Sequence, residues 1–116
     1  MSSNYIVSKY PKLFDHGDFI EVSVGEGWCK LVEDICQIIT DRNVYEQRHV
    51  VVYQVKPKFG RLRFYCSGIT DYEAGVIDLA VRLSGRTCEV CGCIGGVVNL
   101  DGYYTARCKL HENDDE

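Results

Sequence analysis

The sequence predicts an α+β fold, in which two helices pack on a small antiparallel β-sheet and a further hairpin follows near the C-terminus. Two segments have the helical spacing of apolar residues, and β-rich runs joined by turn signals lie between and after them. The chain has 116 residues, of which 46% are hydrophobic and only two are prolines. This length gives room for one hydrophobic core, so we expect a single domain over residues 1–116.

The first 26 residues predict little regular structure. Tyr10 precedes Pro11, which disfavours helix at Tyr10 and indicates an early turn. Residues 19–24 alternate as a short strand does. From Trp28 onward the apolar residues recur at helical spacing, which predicts an amphipathic helix that ends near Asp41. Its apolar positions are Trp28, Leu31, Val32, Ile35, Cys36, Ile38 and Ile39.

A second helix is predicted to begin at Thr70. Thr70 and Glu73 have the spacing of a capping box, in which the two residues satisfy each other's free backbone N–H groups. Gly85 is the predicted stop, because glycine commonly ends a helix. The apolar stripe expected to face the core consists of Tyr72, Val76, Ile77, Leu79, Ala80 and Leu83.

A hairpin is predicted between the two helices. Residues 49–56 and 61–66 are rich in β-branched and aromatic side chains and flank the loop 57–60. A four-residue loop places Lys56 opposite Arg61, and this sets the register of the hairpin. The expected core-facing pairs are then Val55 with Leu62, Tyr53 with Phe64 and Val51 with Cys66. The expected pairs on the other face are Lys56 with Arg61, Gln54 with Arg63 and Val52 with Tyr65.

The last quarter of the chain contains two pairs of metal-ligand residues. Cys88-x-x-Cys91-Gly92 and Cys108-x-x-His111 are separated by sixteen residues between Cys91 and Cys108. Two residues between paired ligands allow a tight turn to present both to one metal, and Gly92 eases that turn. This spacing predicts one structural Zn²⁺ held by Cys88, Cys91, Cys108 and His111.

A hairpin connects the two ligand pairs. Residues 96–100 and 103–107 are β-prone and are joined by Asp101-Gly102, a dipeptide that favours tight hairpin turns. The pattern predicts a zinc ribbon over residues 88–111, after an α/β body (1–87) and before an acidic tail (112–116). Two alternatives are that the four residues only fill a small core or pair as a disulfide, and that Cys93 replaces His111 as a ligand.

The remaining cysteines indicate a reducing environment. The chain has seven cysteines, an odd number, and no charged and apolar leader precedes the fold, so a secreted disulfide framework is not expected. We therefore expect a cytoplasmic protein. Cys29, Cys36 and Cys66 occupy apolar positions and are expected to fill the core. No apolar run reaches the eighteen residues that indicate a membrane span.

Basic residues are concentrated in one segment. Residues 42–63 carry six basic groups and one acidic group, a net charge of +5, whereas the rest of the chain has seven basic and sixteen acidic groups, a net charge of −9. A basic strip on an acidic body predicts a surface that faces an anion. The candidate partner-binding residues are Lys56, Lys58, Arg61 and Arg63. Alternatively, these charges only solvate a sheet face or pair with acidic helix surfaces of the same molecule.

Four motifs together resemble a family of small zinc-ribbon proteins found in bacteriophage and bacterial genomes. The motifs are Gly27-Trp28, the run Val55-Lys56-x-Lys58-Phe59-Gly60-x-Leu62-Arg63-Phe64-Tyr65, Thr87-Cys88-x-x-Cys91-Gly92 and Cys108-x-x-His111. The resemblance covers residues 19–111. It implies this order of elements, a bound metal and an origin in a mobile genetic element, but no activity, since the family has none assigned. One departure is Cys93-Ile94-Gly95, where the family has a small residue, proline and glycine.

The sequence does not predict an enzyme. A zinc deaminase needs His-x-Glu before Pro-Cys-x-x-Cys, and neither motif is present. A closed set of four ligands leaves zinc no open position for catalysis. No phosphate-binding glycine loop occurs, and the paired carboxylates Asp114 and Asp115 lie in the acidic tail.

Two binding functions are consistent with the sequence. The first is a protein-binding module of phage origin that acts in the host cytoplasm on a host or viral protein, as an inhibitor of a bacterial defence system of the anti-CRISPR kind. The second is a nucleic-acid binder that uses the basic hairpin 48–63, with Phe59 or Tyr65 stacking on bases. The isoelectric point near 5.3 disfavours the second.

Overall fold

The computed structural model describes residues 3–113, which fold into helices, a mixed three-stranded sheet and a separate two-stranded sheet. The α+β class is therefore confirmed. In chain order the elements are α1 (Ser3–Lys9), α2 (Pro11–Phe14), β1 (Glu21–Val22), a 3-10 turn (Glu26–Trp28), α3 (Cys29–Glu46), β2 (Val51–Lys58), β3 (Arg61–Ser67), α4 (Asp71–Ser84), β4 (Gly96–Leu100) and β5 (Tyr103–Arg107).

The N-terminal segment is more ordered than the sequence predicts. Tyr10-Pro11 does separate two segments, but both are short helices, and Pro11 begins α2 because its missing N–H costs nothing there. Ile6, Leu13 and Phe14 bury these helices in the core. The predicted strand 19–24 is reduced to β1, which pairs in parallel with β2. The three-stranded sheet is therefore mixed, with order β1-β2-β3, and the prediction of two helices on an antiparallel sheet is wrong in these respects.

Helix α3 begins as predicted but is longer than predicted at its C-terminal end. Trp28 is fully buried, and the helix buries Val32, Ile35, Cys36 and Ile39. The helix continues five residues beyond Asp41 and ends where Gln47 adopts a left-handed conformation, with φ 56°. None of the helices within residues 3–113 combines the length and apolar character that crossing a membrane requires.

Helix α4 has the predicted ends but a different buried face. Thr70 donates from its backbone N–H and its hydroxyl to the Glu73 carboxylate, at 2.8 Å and 2.6 Å, so the predicted cap is confirmed. The helix buries Glu73, Ala80 and Ser84, whereas three members of the predicted core stripe are exposed. These three are Tyr72, Leu79 and Leu83. The spacing of apolar residues does not reveal the buried face of α4, because two of the buried residues, Glu73 and Ser84, are polar and are buried through their hydrogen bonds.

The β2–β3 hairpin closes two residues later than predicted. Lys58 pairs with Arg61 and Lys56 with Arg63, so the loop is only Phe59-Gly60, whose φ angles are 55° and 83°. Two positive φ angles are typical of a tight turn that matches the strand twist. The predicted pair Lys56 with Arg61 is therefore wrong, and so are the pairs that depend on it.

A β-bulge at Tyr53 changes which residues face the core. The register shifts between Val52 and Gln54, so both Val52 and Val55 point inward although three positions separate them. Tyr53, predicted to be a core residue, lies against His16 with ring centroids 4.7 Å apart. A shift of two residues at the hairpin end preserves side-chain alternation, so the basic residues still share one face.

The C-terminal hairpin has the predicted strands and the predicted turn. Gly96 pairs with Arg107 and Leu100 with Tyr103 around Asp101-Gly102, whose φ angles are 58° and 92°. The first hairpin packs against this one, because a Cβ at Gly60 would lie 2.7 Å from Val97.

Of the predicted acidic tail, residues 112–113 continue a turn, whereas residues 114–116, including Asp114 and Asp115, lie outside the described residues. The division into body, ribbon and tail stays a prediction.

Candidate metal centre and basic sheet face

The four predicted ligands come together at the base of the β4–β5 hairpin. The ligand atoms of Cys88, Cys91, Cys108 and His111 all lie within 4.8 Å of one another. Cys93, the alternative fourth ligand, is not a member of this group. His111 presents Nδ1, which lies 3.7 Å from Cys88 Sγ and 3.3 Å from Cys108 Sγ. These four residues can therefore hold one metal ion.

Three of the six distances between the donor atoms are close to those of a tetrahedral site. With zinc–sulfur bonds of ~2.3 Å and zinc–nitrogen bonds of ~2.0–2.1 Å, a regular tetrahedron has edges of ~3.8 Å between sulfurs and ~3.6 Å between sulfur and nitrogen. The Sγ atoms of Cys91 and Cys108 are 3.6 Å apart, close to the first value. The two distances from His111 Nδ1 to sulfur, 3.3 Å and 3.7 Å, lie on either side of the ~3.6 Å expected between sulfur and nitrogen. The residues present thus suit a small, thiophilic divalent ion.

The first ligand pair is held by a knuckle in which the backbone folds around Cys88. The Cys88 carbonyl accepts from the Gly92 N–H at 2.8 Å, and the Cys88 N–H donates to the Cys93 carbonyl at 2.7 Å. Gly92 has φ 86°, as expected for a residue that turns the chain sharply beside a metal. Burial alone raises the pKa of the Cys88 thiol, but backbone hydrogen bonds from Cys91, Cys108 and Val90 lower it to about 6. Cys88 is therefore prepared to bind as a thiolate.

A chain of buried polar side chains links the segment of the first ligand pair, Cys88 and Cys91, to that of the second pair, Cys108 and His111. Arg107 is buried, and its guanidinium donates to the His111 carbonyl at 3.3 Å and to Thr105 Oγ1 at 3.1 Å. Thr105 in turn donates to the Glu89 carboxylate at 3.1 Å. Desolvation raises the pKa of Glu89, while its Thr105 hydrogen bond and Arg107 charge act in the opposite direction. This chain joins the His111 backbone to Glu89, the neighbour of Cys88, and no sequence motif indicated these contacts.

The first knuckle is docked on the turn that begins α3. The Gly27 N–H donates to the Glu89 carbonyl at 2.9 Å, and Trp28 Nε1 donates to the Thr87 carbonyl at 2.9 Å. A Cβ at Gly27 would lie 2.0 Å from the Cys88 carbonyl oxygen, which leaves no room for any side chain. The Gly27-Trp28 pair is thus required by the contact between the candidate metal centre and the body.

Three further cysteines, Cys29, Cys36 and Cys66, lie in the core or pack against it. Burial raises the pKa of Cys36 to about 12 and that of Cys66 to about 11. Burial also raises the pKa of Cys29. All three thiols are therefore protonated at neutral pH and poorly nucleophilic.

The four candidate partner-binding residues form two cross-strand pairs on the outer face of the sheet, which we call the basic face. These pairs are Lys56 with Arg63 and Lys58 with Arg61. Lys56 lies 3.6 Å from the Glu21 carboxylate. Within residues 3–113, no carboxylate oxygen lies within 4.0 Å of Lys58, Arg61 or Arg63. Three of the four cations thus have no carboxylate partner among residues 3–113, although Arg63 donates to the Gln54 side-chain oxygen at 2.5 Å.

Two basic residues of the same segment have a structural role instead. Arg48 forms a close ion pair with Glu73, and Arg42 Nε lies 3.8 Å from the same carboxylate. The Arg42 guanidinium also stacks 3.9 Å from the Tyr72 ring centroid. For these two side chains the alternative interpretation, pairing within the molecule, is correct.

Aromatic rings border the basic face. Tyr65 is 54% exposed and Phe59 is 73% exposed. The Arg63 guanidinium lies 5.7 Å from the Tyr65 ring, and Lys58 Nζ lies 5.9 Å from the Phe59 ring. Tyr53 stacks behind Tyr65 with centroids 5.8 Å apart. Cations and rings therefore lie side by side on this face, and the position of Tyr53 could not be predicted because the bulge that turns it out of the core is not visible in the sequence.

No protein-family model, curated protein or solved structure matches the chain. The resemblance to phage and bacterial zinc-ribbon proteins therefore stays a prediction, as do the proposed origin and partners.

Proposed function

We propose that the protein is a non-enzymatic binding module, stabilised by one structural zinc ion in a zinc ribbon, whose basic face binds single-stranded nucleic acid. The observation that carries this proposal is the pair of like-charged cross-strand contacts, Lys56–Arg63 and Lys58–Arg61, beside exposed aromatic rings. The zinc ion has no chemical role in binding and holds the ribbon in place.

The donor set supports zinc as the metal. Thiolate ligands favour soft or borderline ions, and three sulfurs with one imidazole nitrogen in a tetrahedral arrangement are typical of structural zinc. Four protein ligands leave no position for a water molecule or a substrate. This closed set also supports a non-enzymatic role.

Charge on the basic face supports a polyanionic partner. Like charges directly opposite each other destabilise a hairpin, and only Lys56 of the four has a carboxylate nearby, so the repulsion that remains weakens the isolated fold. A chain of phosphates removes that repulsion when it lies along the two strands and releases bound counterions. The acidic remainder of the molecule repels the same ligand, which confines binding to this face.

The exposed rings support a single strand over a duplex. Unstacked bases can lie on Tyr65 and Phe59, and such stacking contributes about 1–3 kcal/mol per base. Tyr104 extends this surface, because its ring lies 6.4 Å from that of Phe59 in an edge-on arrangement. In a duplex the bases are already stacked and cannot use these rings.

The test is the salt dependence of binding to a fluorescent single-stranded oligonucleotide. We expect affinity to fall steeply as salt rises and to be lost in the double variant Arg61→Glu, Arg63→Glu. The matched control is Lys12→Glu, Lys30→Glu, which makes the same charge change at exposed positions on α2 and α3. Absent binding, salt-independent binding or equal loss in both double variants would contradict the proposal.

A second candidate is a protein-binding module of phage origin that blocks a host defence protein in the host cytoplasm. The observation favouring it is the exposure of two apolar side chains close in sequence to the ligand pairs, Ile94 at 90% and Leu110 at 86%. If this function is correct, expression in a defended host should restore phage plating, and Ile94→Asp, Leu110→Asp should abolish the effect. Restored plating by that variant, or no restoration by the natural protein, would contradict it.

A further inference from the structure

A cleft of about 270 Å³ lies between the tips of the two hairpins, and we call it the hairpin cleft. Three of the residues that line it are aromatic and none is acidic. The lining residues are Pro57, Lys58 and Phe59 of the first hairpin and Gly102, Tyr103 and Tyr104 of the second. The cleft therefore suits a flat aromatic ligand that carries negative charge.

The rings of the hairpin cleft are arranged so that a planar group can contact two of them at once. Phe59 and Tyr104 approach edge to face, with ring centroids 6.4 Å apart and ring planes at 74° to each other. A base that stacks on one of these rings meets the other with its edge, and both geometries are favourable between aromatic groups. Tyr103 and Tyr104 are 53% and 44% exposed, so ring surface remains open to a ligand.

Lys58 indicates which kind of aromatic ligand the hairpin cleft takes. Its Nζ lies 5.9 Å from the Phe59 ring centroid, and within residues 3–113 no carboxylate oxygen lies within 4.0 Å of it. A ligand that places a ring in the cleft and a phosphate beside Lys58 matches both features. A nucleotide of a single strand has this chemistry. Arg61, the cross-strand partner of Lys58, continues the path for phosphates onto the basic face.

One wall of the hairpin cleft depends on how the β4–β5 hairpin is held. Tyr104 and Ala106 are two positions apart on β5 and share one face, which also carries Val97, the cross-strand partner of Ala106. Ala106 is fully buried, and Val97 packs against the turn of the first hairpin. This face therefore brings Tyr104 to Phe59. The four candidate metal ligands flank β4 and β5, so an ion bound there fixes the hairpin at its base.

We propose that the hairpin cleft binds one unstacked base of the single strand, and that this binding is coupled to occupancy of the metal centre. The inference rests on the proposed function, because it extends the path of the same strand from the basic face to the second hairpin. Without a bound ion the hairpin that carries Tyr103 and Tyr104 loses its fixed position, whereas the cations of β2 and β3 stay in place. Linkage requires the reverse effect as well, so a bound strand strengthens metal binding by the same factor.

Titration of a fluorescein-labelled oligothymidylate tests the cleft on zinc-loaded protein. Tyr104→Ala is expected to weaken binding at least about fivefold, the lower limit for one stacked base, whereas Tyr104→Phe keeps the ring and should bind as the natural chain does. The matched control is Tyr45→Ala, which removes a ring at an 81% exposed position of α3 and should leave affinity unchanged. A strand of the same length without bases should bind the natural chain and Tyr104→Ala equally, because it has nothing to stack.

Removal of the metal tests the coupling. After chelation and separation from the chelator, the natural chain should bind oligothymidylate at least about fivefold more weakly, and Tyr104→Ala should then cause no further loss. Competition with a zinc-binding dye gives a second readout that does not measure strand affinity. Saturating oligothymidylate should raise the zinc affinity of the natural chain, and raise that of Tyr104→Ala by a smaller factor.

The outcomes separate this inference from the proposed function. Equal affinity with and without metal, or natural affinity in zinc-loaded Tyr104→Ala, would overturn the inference and leave the basic face as the binding surface. Weaker binding of the base-free strand by Tyr104→Ala than by the natural chain would also overturn it, since the substitution would then act on the fold. A natural chain that binds no oligothymidylate when loaded with zinc would overturn both the inference and the proposed function.

Discussion

At the scale of single residues, Glu73 connects α4 with α3 and with the segment that precedes β2. Its carboxylate is fully buried at the first turn of α4 and contacts Thr70, Arg48 and Arg42. Burial alone raises the pKa of Glu73, but the hydrogen bonds from Arg48 and Thr70 outweigh it and lower the pKa to about 2. A buried charge of this kind is tolerated only with its partners present.

Glu73→Gln is expected to lower the free energy of unfolding by about 3–5 kcal/mol, because it removes the carboxylate partner of Arg48 and leaves Arg42 with Glu46 alone, in a largely buried place. Urea denaturation measures the change. The control is Asp34→Asn, which removes an exposed carboxylate of α3 and should alter stability by about 0.5 kcal/mol or less. Equal effects of the two variants would contradict this role of Glu73.

The contribution of Glu73 also depends on pH. Its pKa is about 2 in the folded protein, compared with 4.5 as the ordinary value, so the unfolded chain takes up a proton first as pH falls. The stabilisation is therefore complete above about pH 5 and is lost progressively towards pH 2. The measurement is the difference in unfolding free energy between the natural chain and Glu73→Gln, in which acid effects on the metal site cancel. A difference that stays constant from pH 6 to about 2 would disprove the assignment.

Gly27 is required by close contact between backbones. Because any Cβ at this position meets the Cys88 carbonyl oxygen, Gly27→Ala must separate the knuckle from α3. The expected loss is at least about 1–3 kcal/mol, with faster release of the metal to a chelator. Gly96→Ala is the control, since nothing lies within 4 Å of its Cβ position, and it should be nearly neutral. Comparable chelation rates for both variants would refute this account.

At the scale of elements, the two hairpins close with similar turns but different residues. Asp101-Gly102 suits positive φ angles, whereas Phe59-Gly60 places an aromatic side chain at φ 55°. A bulky residue in this region is uncommon, and strain of this kind often occurs at functional sites. The turn holds the Phe59 ring beside Tyr104 and next to Lys58. The unusual turn residue thus supports a role of this ring in binding.

Substitutions of Phe59 separate stability from binding. Phe59→Asn should be more stable than Phe59→Val by about 1–2 kcal/mol, because asparagine tolerates positive φ and a β-branched residue does not. Both variants lack the ring, so both are expected to bind a single-stranded oligonucleotide several-fold more weakly than the natural chain. Thermal unfolding and oligonucleotide titration measure the two effects. Natural affinity in either variant would show that the ring does not contact the ligand.

At the scale of the whole molecule, the candidate metal centre ties the C-terminal hairpin to a core built elsewhere. Among the described residues, the cluster of buried core side chains takes only Ala106 from residues 88–111. The β4–β5 hairpin therefore has little hydrophobic stabilisation of its own, and we expect a metal ion held by the four candidate ligands to supply much of its order. The body has α1, α2 and α3 packed on its sheet and does not depend on the metal in this way.

Metal removal is accordingly expected to unfold the ribbon before the body. Purified protein should contain one zinc per chain, and chelation should remove hydrogen-exchange protection from β4 and β5 while the amides of α3 stay protected. Cys91→Ser should bind zinc much more weakly, whereas Cys93→Ser, two residues away and also exposed, should retain it. Zinc well below one per chain, or equal zinc loss in both variants, would contradict the site.

Features that depend on a few neighbouring residues could be predicted from the sequence. The cap formed by Thr70 and Glu73, the turn at Asp101-Gly102 and the two ligand pairs are local, because their partners lie within a few positions along the chain. The sequence also showed that the basic residues lie on one face of the hairpin, because side chains alternate along a strand whatever its register. These parts of the candidate site needed no knowledge of the fold.

The tertiary structure decided which of these features are buried and which remain on the surface. The bulge at Tyr53 and the two-residue turn at Phe59-Gly60 set the register, and both depend on packing against other elements. Burial of Glu73 required Arg48, twenty-five positions away, to supply the opposite charge. Sequence by itself determined the local chemistry of this protein, whereas the choice between core and surface depended on contacts between residues far apart in the chain.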